Sequence, residues 1–428
     1  MTRIIYFFLY LLWTAFPMTA HMEGIAADTP RTSASYWLDR LPAADSLIAD
    51  DIPAYTARLT AASPSVIDLA AYPPTLSRQE AARLIGSSDI LDRDWYAKGR
   101  LLTKEEKEQI AAELNLAALP ETVPVRYAVA VTRANLRTLP IREGLFTSPN
   151  DTDFDRMQET VLDPGEPVLL LHESLHQTFY YIQARNYRGW LSAADIGITS
   201  RENWQRFAAP RQFLTVIGKE YLVSAGGLSQ RYQQGSVLLL LSQDDRTYTV
   251  QLPWRNADGQ LERIQTVIPK NPELLHEGYL PYTSRTILES AFRFYGSPYG
   301  WGGLKNSVDC SSLVFNAYRT AGIYLPRNAD EQEAAAGHSI SFAGMSREER
   351  LQAIASLPPG TPVFMDGHVL LFLGMQQDRP YFIHSLAYYY DRTGALQRAM
   401  AVVVSDTDLY RANGEDFLDA FTSAVIFK

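Results

Sequence analysis

The sequence of 428 residues predicts a multidomain protein. An α+β domain forms its last part, and two small β-barrels and an N-terminal helical region precede it. Two observations carry this prediction. A chain of this length exceeds what one hydrophobic core sustains and suggests about 3–4 domains. The residue pattern also changes twice: helical periodicity runs to about Leu119, short strands follow from Val123, and helices then strands follow from Gly278.

The chain opens with "MTRIIYFFLYLLWTAFPMTA". A basic start at Arg3, an apolar run over residues 4–16, and then Pro17, Thr19 and Ala20 read as a signal peptide over residues 1–20. The apolar run is shorter than the ~20 residues a spanning helix needs. The expectation is therefore export, periplasmic or extracellular, with no stable membrane anchor after cleavage. No cysteine near the cut offers a lipid attachment point. The net charge of −9 argues against a nucleic-acid partner, which would need a basic face. A single cysteine excludes an internal disulfide and leaves a free thiol or an intermolecular link.

Residues 21–35 read as an unstructured lead, and residues 36–119 as a helical domain. "SRQEAARLIG" opens with Ser77 and carries Glu80 three residues on; "TKEEKEQIAAELNLA" repeats the arrangement with Thr103 and Glu106. Both are capping boxes. Residues 120–200, with "VRYAVAVTRANLRTLP" and "EPVLLLHES", predict a first barrel. Residues 201–275, with "GSVLLLLS", "RTYTVQLPW" and "RIQTVIP", predict a second. Residues 280–428 form the α+β domain. In it, "SRTILESAFRFYG" and "DCSSLVFNAYRTAGI" are amphipathic helices, and "TPVFM", "HVLLFLG", "YFIHSL" and "RAMAVVVS" are strands.

Cys310 falls one residue into the second of these helices, with Asp309 as N-cap. The helix end and its unpaired amides favour a thiolate and can hold an oxyanion. Glycines at 300, 302 and 303 allow close backbone approach. A thiol nucleophile needs a base. His368 opens a strand after the Asp366-Gly367 turn, and His384 ends the next strand, so neighbouring strands can bring both imidazoles to one sheet edge. A cysteine at a helix start facing a histidine on a sheet is a papain-like arrangement, in which the second histidine orients the first. A lone cysteine is more often a small buried apolar residue; the glycine turn, helix start and two strand-borne histidines tip the balance toward chemistry.

"PYGWGGLKNSVDCSS" followed in order by "GHV" and "IHS" resembles the NlpC family of bacterial cell-wall cysteine peptidases, over about residues 284–428. The departure is Ser312, where that family usually has glycine. The resemblance implies Cys310 as nucleophile, His368 as base and His384 as orienting residue. It implies that Tyr299 lines the oxyanion side, that Asp309 and Ser311 hold the amine end of the substrate, and that no cofactor is used. "YAVAVTRANLRTLP" and "GWLSAADI" are similar to bacterial SH3-like barrels attached to such peptidases. The order of a signal, a helical region, two SH3-like barrels and a peptidase resembles a subgroup that cuts the γ-D-glutamyl to diamino-acid bond of murein stem peptides. Some of its members require a free N-terminal L-Ala, and the first barrel narrows the groove. The expected partners are murein stem peptides or their fragments, and a monomer is expected.

"HESLH", from His172 to His176, fits a zinc-protease pattern if helical. Its strand-like flanks read instead as a barrel hairpin with exposed histidines, so no metal is expected. His276 and His338 read as surface residues. The alternatives are a catalytically dead wall-binding or scaffold protein, and an amidase or acyltransferase on the same fold.

Overall fold

The computed structural model describes residues 24–26, 30–42, 52–87, 89–225 and 227–428. The expected signal peptide, residues 1–20, lies outside them. Among the described residues, no helix is long and apolar enough to cross a membrane.

Helices α1 (Ala34–Leu38), α2 (Ile52–Ala62), α3 (Arg78–Ile85) and α4 (Lys104–Glu113) precede the barrels. The Ser77/Glu80 and Thr103/Glu106 capping boxes both form, satisfying otherwise unpaired amides at the starts of α3 and α4. Among the described residues, the helical region shares its core with the domains that follow it. Trp37, Tyr55 and Leu59 of α1 and α2 are buried in the core of the α+β domain. Ala81, Ile85 and Leu114 join a core shared with the first barrel.

The first barrel is a seven-stranded antiparallel sheet: β1 (Arg126–Ala130), β2 (Ala134–Arg137), β3 (Gln158–Leu162), β4 (Pro167–Glu173), β5 (Phe179–Gln183), β6 (Arg188–Ser192) and β7 (Ile196–Thr199). Its strand order is β7-β1-β4-β5-β6-β2-β3. Helix α5 (Arg201–Ala208) falls within the residues predicted for the second barrel, but Trp204 and Phe207 pack into the first barrel's core. The two rings join a core made largely of first-barrel and helical residues, a tertiary contact with no local sequence sign. The second barrel consists of β8 (Phe213–Val216), β9 (Glu220–Ala225), β10 (Leu228–Gln233), β11 (Val237–Gln243), β12 (Thr247–Arg255), β13 (Leu261–Pro269) and β14 (Leu275–Glu277). It forms a five-stranded sheet, β13-β12-β11-β8-β14, and a separate hairpin, β9-β10.

The α+β domain places α6 (Ser284–Phe292) and α7 (Cys310–Arg319) beside a six-stranded antiparallel sheet. Its strands are β15 (His338–Ser341), β16 (Pro362–Met365), β17 (His368–Gln376), β18 (Arg379–Tyr390), β19 (Leu396–Ser405) and β20 (Phe421–Ile426), in the order β15-β20-β16-β17-β18-β19. Short helices α8 (Ala329–Glu333), α9 (Arg347–Ala355) and α10 (Phe417–Ala420) complete it. The hydrophobic face of α7, with Leu313, Val314, Ala317 and Tyr318 all buried, packs on this sheet and fixes the helix start.

Both barrels grip α7. At its C-terminal end Arg319 donates to Asp163 and Glu166 of the first barrel, each at 2.8 Å. Asn316 donates to Gln233 Oε1 of the second barrel at 3.0 Å. Arg133 ties the same cluster together, donating to Asp163 at 2.6 Å and to Gln233 Oε1 at 3.0 Å. Burial opposes ionisation of Asp163, but the Arg133 and Arg319 guanidinium groups overcome it and hold its carboxyl below the usual range.

Candidate active site

The glycine turn before α7 allows the expected close approach, and what approaches it is the first barrel. Gly302 and Gly303 have positive φ, 54° and 81°. A Cβ on Gly302 would meet Gln158 Cγ at 2.6 Å, and one on Gly303 would meet Val161 Cγ2 at 2.8 Å. Strand β3 of the first barrel therefore lies against the turn. Gln158 Nε2 donates to the Gly302 carbonyl at 2.9 Å, and Trp301 Nε1 donates to the Asp155 carbonyl at 2.8 Å.

Asp309 caps α7 as expected, accepting from the Ser312 amide at 2.9 Å, while Ser312 Oγ accepts from the Asp309 amide at 2.8 Å. The small residue at 312 is thus half of a capping box. Cys310 is the first helical residue and is half-buried. The sequence expectation of an ionised sulfur is corrected here. Burial, and then the Asp309 carboxylate, push the thiol up to about 12. The backbone amides of Val369 and Ser311 and the Arg327 guanidinium act in the opposite sense without winning. The resting sulfur is a thiol, because desolvation outweighs the helix end.

Val369 follows His368, so its contact with the sulfur brings the start of β17 to Cys310. His368 Nε2 lies 2.8 Å from His384 Nδ1. The Asp366-Gly367 turn sets His368 opposite Met365, with Gly367 at φ 74° as the turn requires. His384 does not end its strand as expected; β18 runs on to Tyr390, and His384 is fully buried. Its ring continues to Ser405 Oγ, 2.9 Å from Nε2. The Phe417 ring centroid lies 6.3 Å from each imidazole and seals them on one side. Burial, and then the charge of Arg411, lower the His368 pKa to about 4. Burial holds His384 well below the usual imidazole range, with His368 adding to it. Both rings are neutral at pH 7.

Tyr299 is buried, and its phenol is held well above its usual range by burial and then by the Cys310 and Asp309 charges. It remains a hydrogen-bond donor beside the sulfur. Asp309 and Ser311, expected to hold a substrate amine, are committed within the protein. Arg327 Nη2 donates to Asp309 Oδ2 at 2.6 Å, and Nη1 donates to Ser311 Oγ at 2.9 Å. The Gly302 amide also donates to Asp309 Oδ2 at 3.0 Å. The carboxylate is neutralised and nearly fully bonded, which leaves little for a ligand. Arg327, which reaches on to Thr160 Oγ1 at 2.8 Å, was not singled out from sequence. No spacing relates it to Cys310.

The first barrel packs against Tyr299. Phe154 packs against Tyr299, Trp301 and Tyr388 with centroids 6.1, 5.2 and 6.1 Å away. Its neighbour Asp153 accepts from Tyr388 Oη at 2.8 Å and from Arg398 at 3.0 Å. A cavity of about 330 Å³ also opens between barrel and α+β domain, lined by Thr138, Glu159 and Tyr187 on one side and by Asn328 and Glu331 on the other. Tyr187 Oη and Thr138 Oγ1 donate to the Glu159 carboxylate.

"HESLH" is strand and turn, so its histidines do not share a helix face. His172 is half-buried against the Asn115 carbonyl at 3.1 Å, contrary to the expected exposure, because α4 packs over the hairpin. His176 is exposed and pairs with Glu113.

Residues 296–393 match the NlpC/P60 family, and residues 144–192 match the SH3 domain of SH3b1 type. A bifunctional muramidase/DL-endopeptidase of Bacillus subtilis, CwlT, is 39% identical over 71 residues, 14% of this chain and 22% of that protein. A probable endopeptidase of Corynebacterium glutamicum is 32% identical over 108 residues, 25% of this chain and 50% of that protein. The chain thus spans half or less of the length of these relatives. A solved structure described as a novel NlpC/P60 endopeptidase from Photobacterium damselae subsp. piscicida shares the fold. Its TM-score is 0.71 at 18% identity, covering 90% of this chain and 94% of that one.

Proposed function

We propose that this chain, whose C-terminal domain is an NlpC/P60 domain behind an SH3b domain, is an exported cysteine peptidase of murein stem peptides. It cuts the γ-D-glutamyl to diamino-acid bond of fragments with a free N-terminal L-Ala. The observation that carries this reading is that the backbone at the start of β17 reaches the one thiol, at the first position of α7, next to the residue whose imidazole pairs with His384. Since Nε2 of His368 is engaged with His384, Nδ1 is the nitrogen left for Cys310.

The reaction follows from a neutral thiol beside a neutral imidazole. As the sulfur attacks the γ-carbonyl, its proton passes to His368 Nδ1. The oxyanion forms beside the Tyr299 hydroxyl. Collapse breaks the C–N bond, His368 returns the proton to the leaving amine, and a thioester remains. Water, deprotonated by His368, then adds to the thioester. The acid product leaves and the thiol is restored. Asp309 and Ser311 act here through Arg327, holding the start of α7, and no longer as the amine site. We assign that task to Glu159, which accepts from Tyr187 and Thr138 and lines a polar cavity together with Asn328, the residue after Arg327. A carboxylate there suits an ammonium group. Phe154 and the Asp153–Arg398 contact wall the groove, which favours chain ends over cross-linked wall.

Incubation with L-Ala-γ-D-Glu-diaminopimelate tests this. The unaltered chain releases L-Ala-γ-D-Glu, Cys310→Ala releases none, and N-acetylation of the L-Ala abolishes cleavage. Tight binding to wall sacculi without turnover of any stem peptide would overturn the reading in favour of a wall-binding protein.

A further inference from the structure

The relay behind the sulfur does not stop at His384. Ser405 closes β19, and Phe382 stands opposite it in the register. His384, two residues along β18 from Phe382, shares its face and meets Ser405 diagonally, with Nε2 2.9 Å from Oγ. Ser405 is fully buried. Its backbone is bridged by Ile25, with Ala26 donating to the Val404 carbonyl at 2.8 Å and Asp406 donating to the Gly24 carbonyl at 2.9 Å. A segment from before the first helix therefore holds the hydroxyl in place.

The proton positions follow from chemistry. For Nδ1 of His368 to take a proton it must carry a lone pair, so the ring's own proton sits on Nε2 and is donated to His384 Nδ1. A neutral His384 then carries its proton on Nε2, toward Ser405. The reverse arrangement, with His384 Nδ1 donating, would place the His368 proton on Nδ1 and leave no base for the sulfur. We infer that Ser405 is a positioning residue: by accepting a hydrogen bond from His384 Nε2–H, it holds both imidazoles in the tautomer that keeps His368 Nδ1 free to take the Cys310 proton. The pair is insulated from competing charge. Phe417 covers both rings, Arg411 is the cation that acts on His368, and the carboxylate of Asp406 beside Ser405 is held by Arg379 at 3.1 Å. The arrangement persists when His368 becomes an imidazolium, since its Nε2–H donor is unchanged. This inference rests on the Cys310–His368 chemistry proposed above.

Nitrogen-15 NMR of the full chain tests it directly. His368 and His384 are expected to be protonated at Nε2 and unprotonated at Nδ1; a proton on Nδ1 of His384 overturns the inference. Because Cys310 is the one cysteine, iodoacetamide reads its reactivity without any substrate. Ser405→Ala is expected to slow alkylation at neutral pH about fivefold, the loss of one neutral hydrogen bond, and to lower kcat by the same factor with KM unchanged. Ser405→Thr, which keeps the hydroxyl, is expected to restore both. Alkylation by Ser405→Ala at the unaltered rate overturns the inference. Should Ser405→Thr fail to fold, the tautomers of the unaltered chain decide. A chain that alkylates as expected yet cleaves no stem peptide would overturn the substrate assignment and leave the relay standing.

Discussion

Replacing Arg327 by alanine removes the group on which the start of α7 depends. Arg327 and Asp309 are 4% and 8% exposed at their side chains and 2.6 Å apart. The guanidinium also serves Ser311 and Thr160. Arg327→Ala leaves the Asp309 carboxylate buried with only the Gly302 and Ser312 amides and the Ser311 hydroxyl as donors, none of them charged, and breaking such a pair costs about 3–5 kcal/mol. At ~2–4 °C per kcal/mol for a domain of this size, the C-terminal domain should melt roughly 6–20 °C lower at neutral pH. Calorimetry of the full chain measures this. The pH dependence carries a sign. In the unaltered chain burial raises the Asp309 pKa, but the Arg327 charge prevails and holds it below the usual range. Its stabilisation is therefore present above the ordinary carboxylate pKa and is lost as pH falls through the depressed value. In Arg327→Ala only uncharged hydrogen bonds, those of Ser312 among them, still oppose burial, and the carboxyl protonates more readily. The gap between the two proteins should be widest near neutrality and close as the solution is acidified. Adding Asp309→Asn to Arg327→Ala should recover stability, because the orphan charge is gone. A melt within roughly 2 °C of the unaltered chain at neutral pH, or a gap that widens on acidification, would refute the reasoning.

Four further outcomes are expected. Alkylation of Cys310 should rise through an acid limb near pH 4, as His368 loses its proton, and stay level until the thiol itself ionises near 12; thiolate absorbance at neutral pH should be absent relative to Cys310→Ala. Glu159→Gln should lower kcat/KM for a free L-Ala stem peptide about tenfold or more and erase its preference over the N-acetylated form, as charge-assisted bonds are worth ~1.5–3 kcal/mol. Trp37→Ala should destabilise the C-terminal domain by about 3–5 kcal/mol in a denaturant melt, because the ring is 2% exposed within that core and donates to the Arg31 carbonyl at 2.7 Å. Phe154→Ala should admit longer or cross-linked substrates, read as new release products from intact sacculi, and should leave the rate of Cys310 alkylation within about twofold if the loop only walls the groove.

What the sequence disclosed was local. The capping boxes at Ser77 and Thr103 sit within four residues of their helices, and the Asp366-Gly367 turn fixes its own hairpin register, so both could be read directly. Cys310 at a helix start and His368 at a strand start were legible for the same reason. Contacts between distant residues were not. Arg327, Ser405 and Phe417 meet the site across 17 to 107 positions from Cys310, and a single arginine, serine or phenylalanine has no periodicity to betray it. The state of the sulfur was missed because a helix end is visible in sequence while burial is not, and burial decides the outcome here. Trp37 and Tyr55 show the same limit: their helical setting is legible, but the core they join is not.

The barrels behave as walls of the site more than as tethered modules. Interfaces between domains of one chain are usually polar and permit relative motion. Here Arg319, Asp163 and Arg133 are almost wholly buried, with Glu166 half-buried beside them, at the point where both barrels meet α7. Separating the domains would strip these charges of partners, which is costlier than rehydrating a rim of surface ion pairs. The other end of α7 is held through the glycine turn, where any side chain would collide with β3. The helix that presents Cys310 is thus clamped at both ends by residues outside the α+β domain. A difference of an ångström at the sulfur changes its contact with the Val369 amide at the start of β17, so the barrels bear on where the thiol sits. This also accounts for turn glycines at 302 and 303 that the reaction itself does not require: they admit the neighbouring strand that fixes where the helix begins.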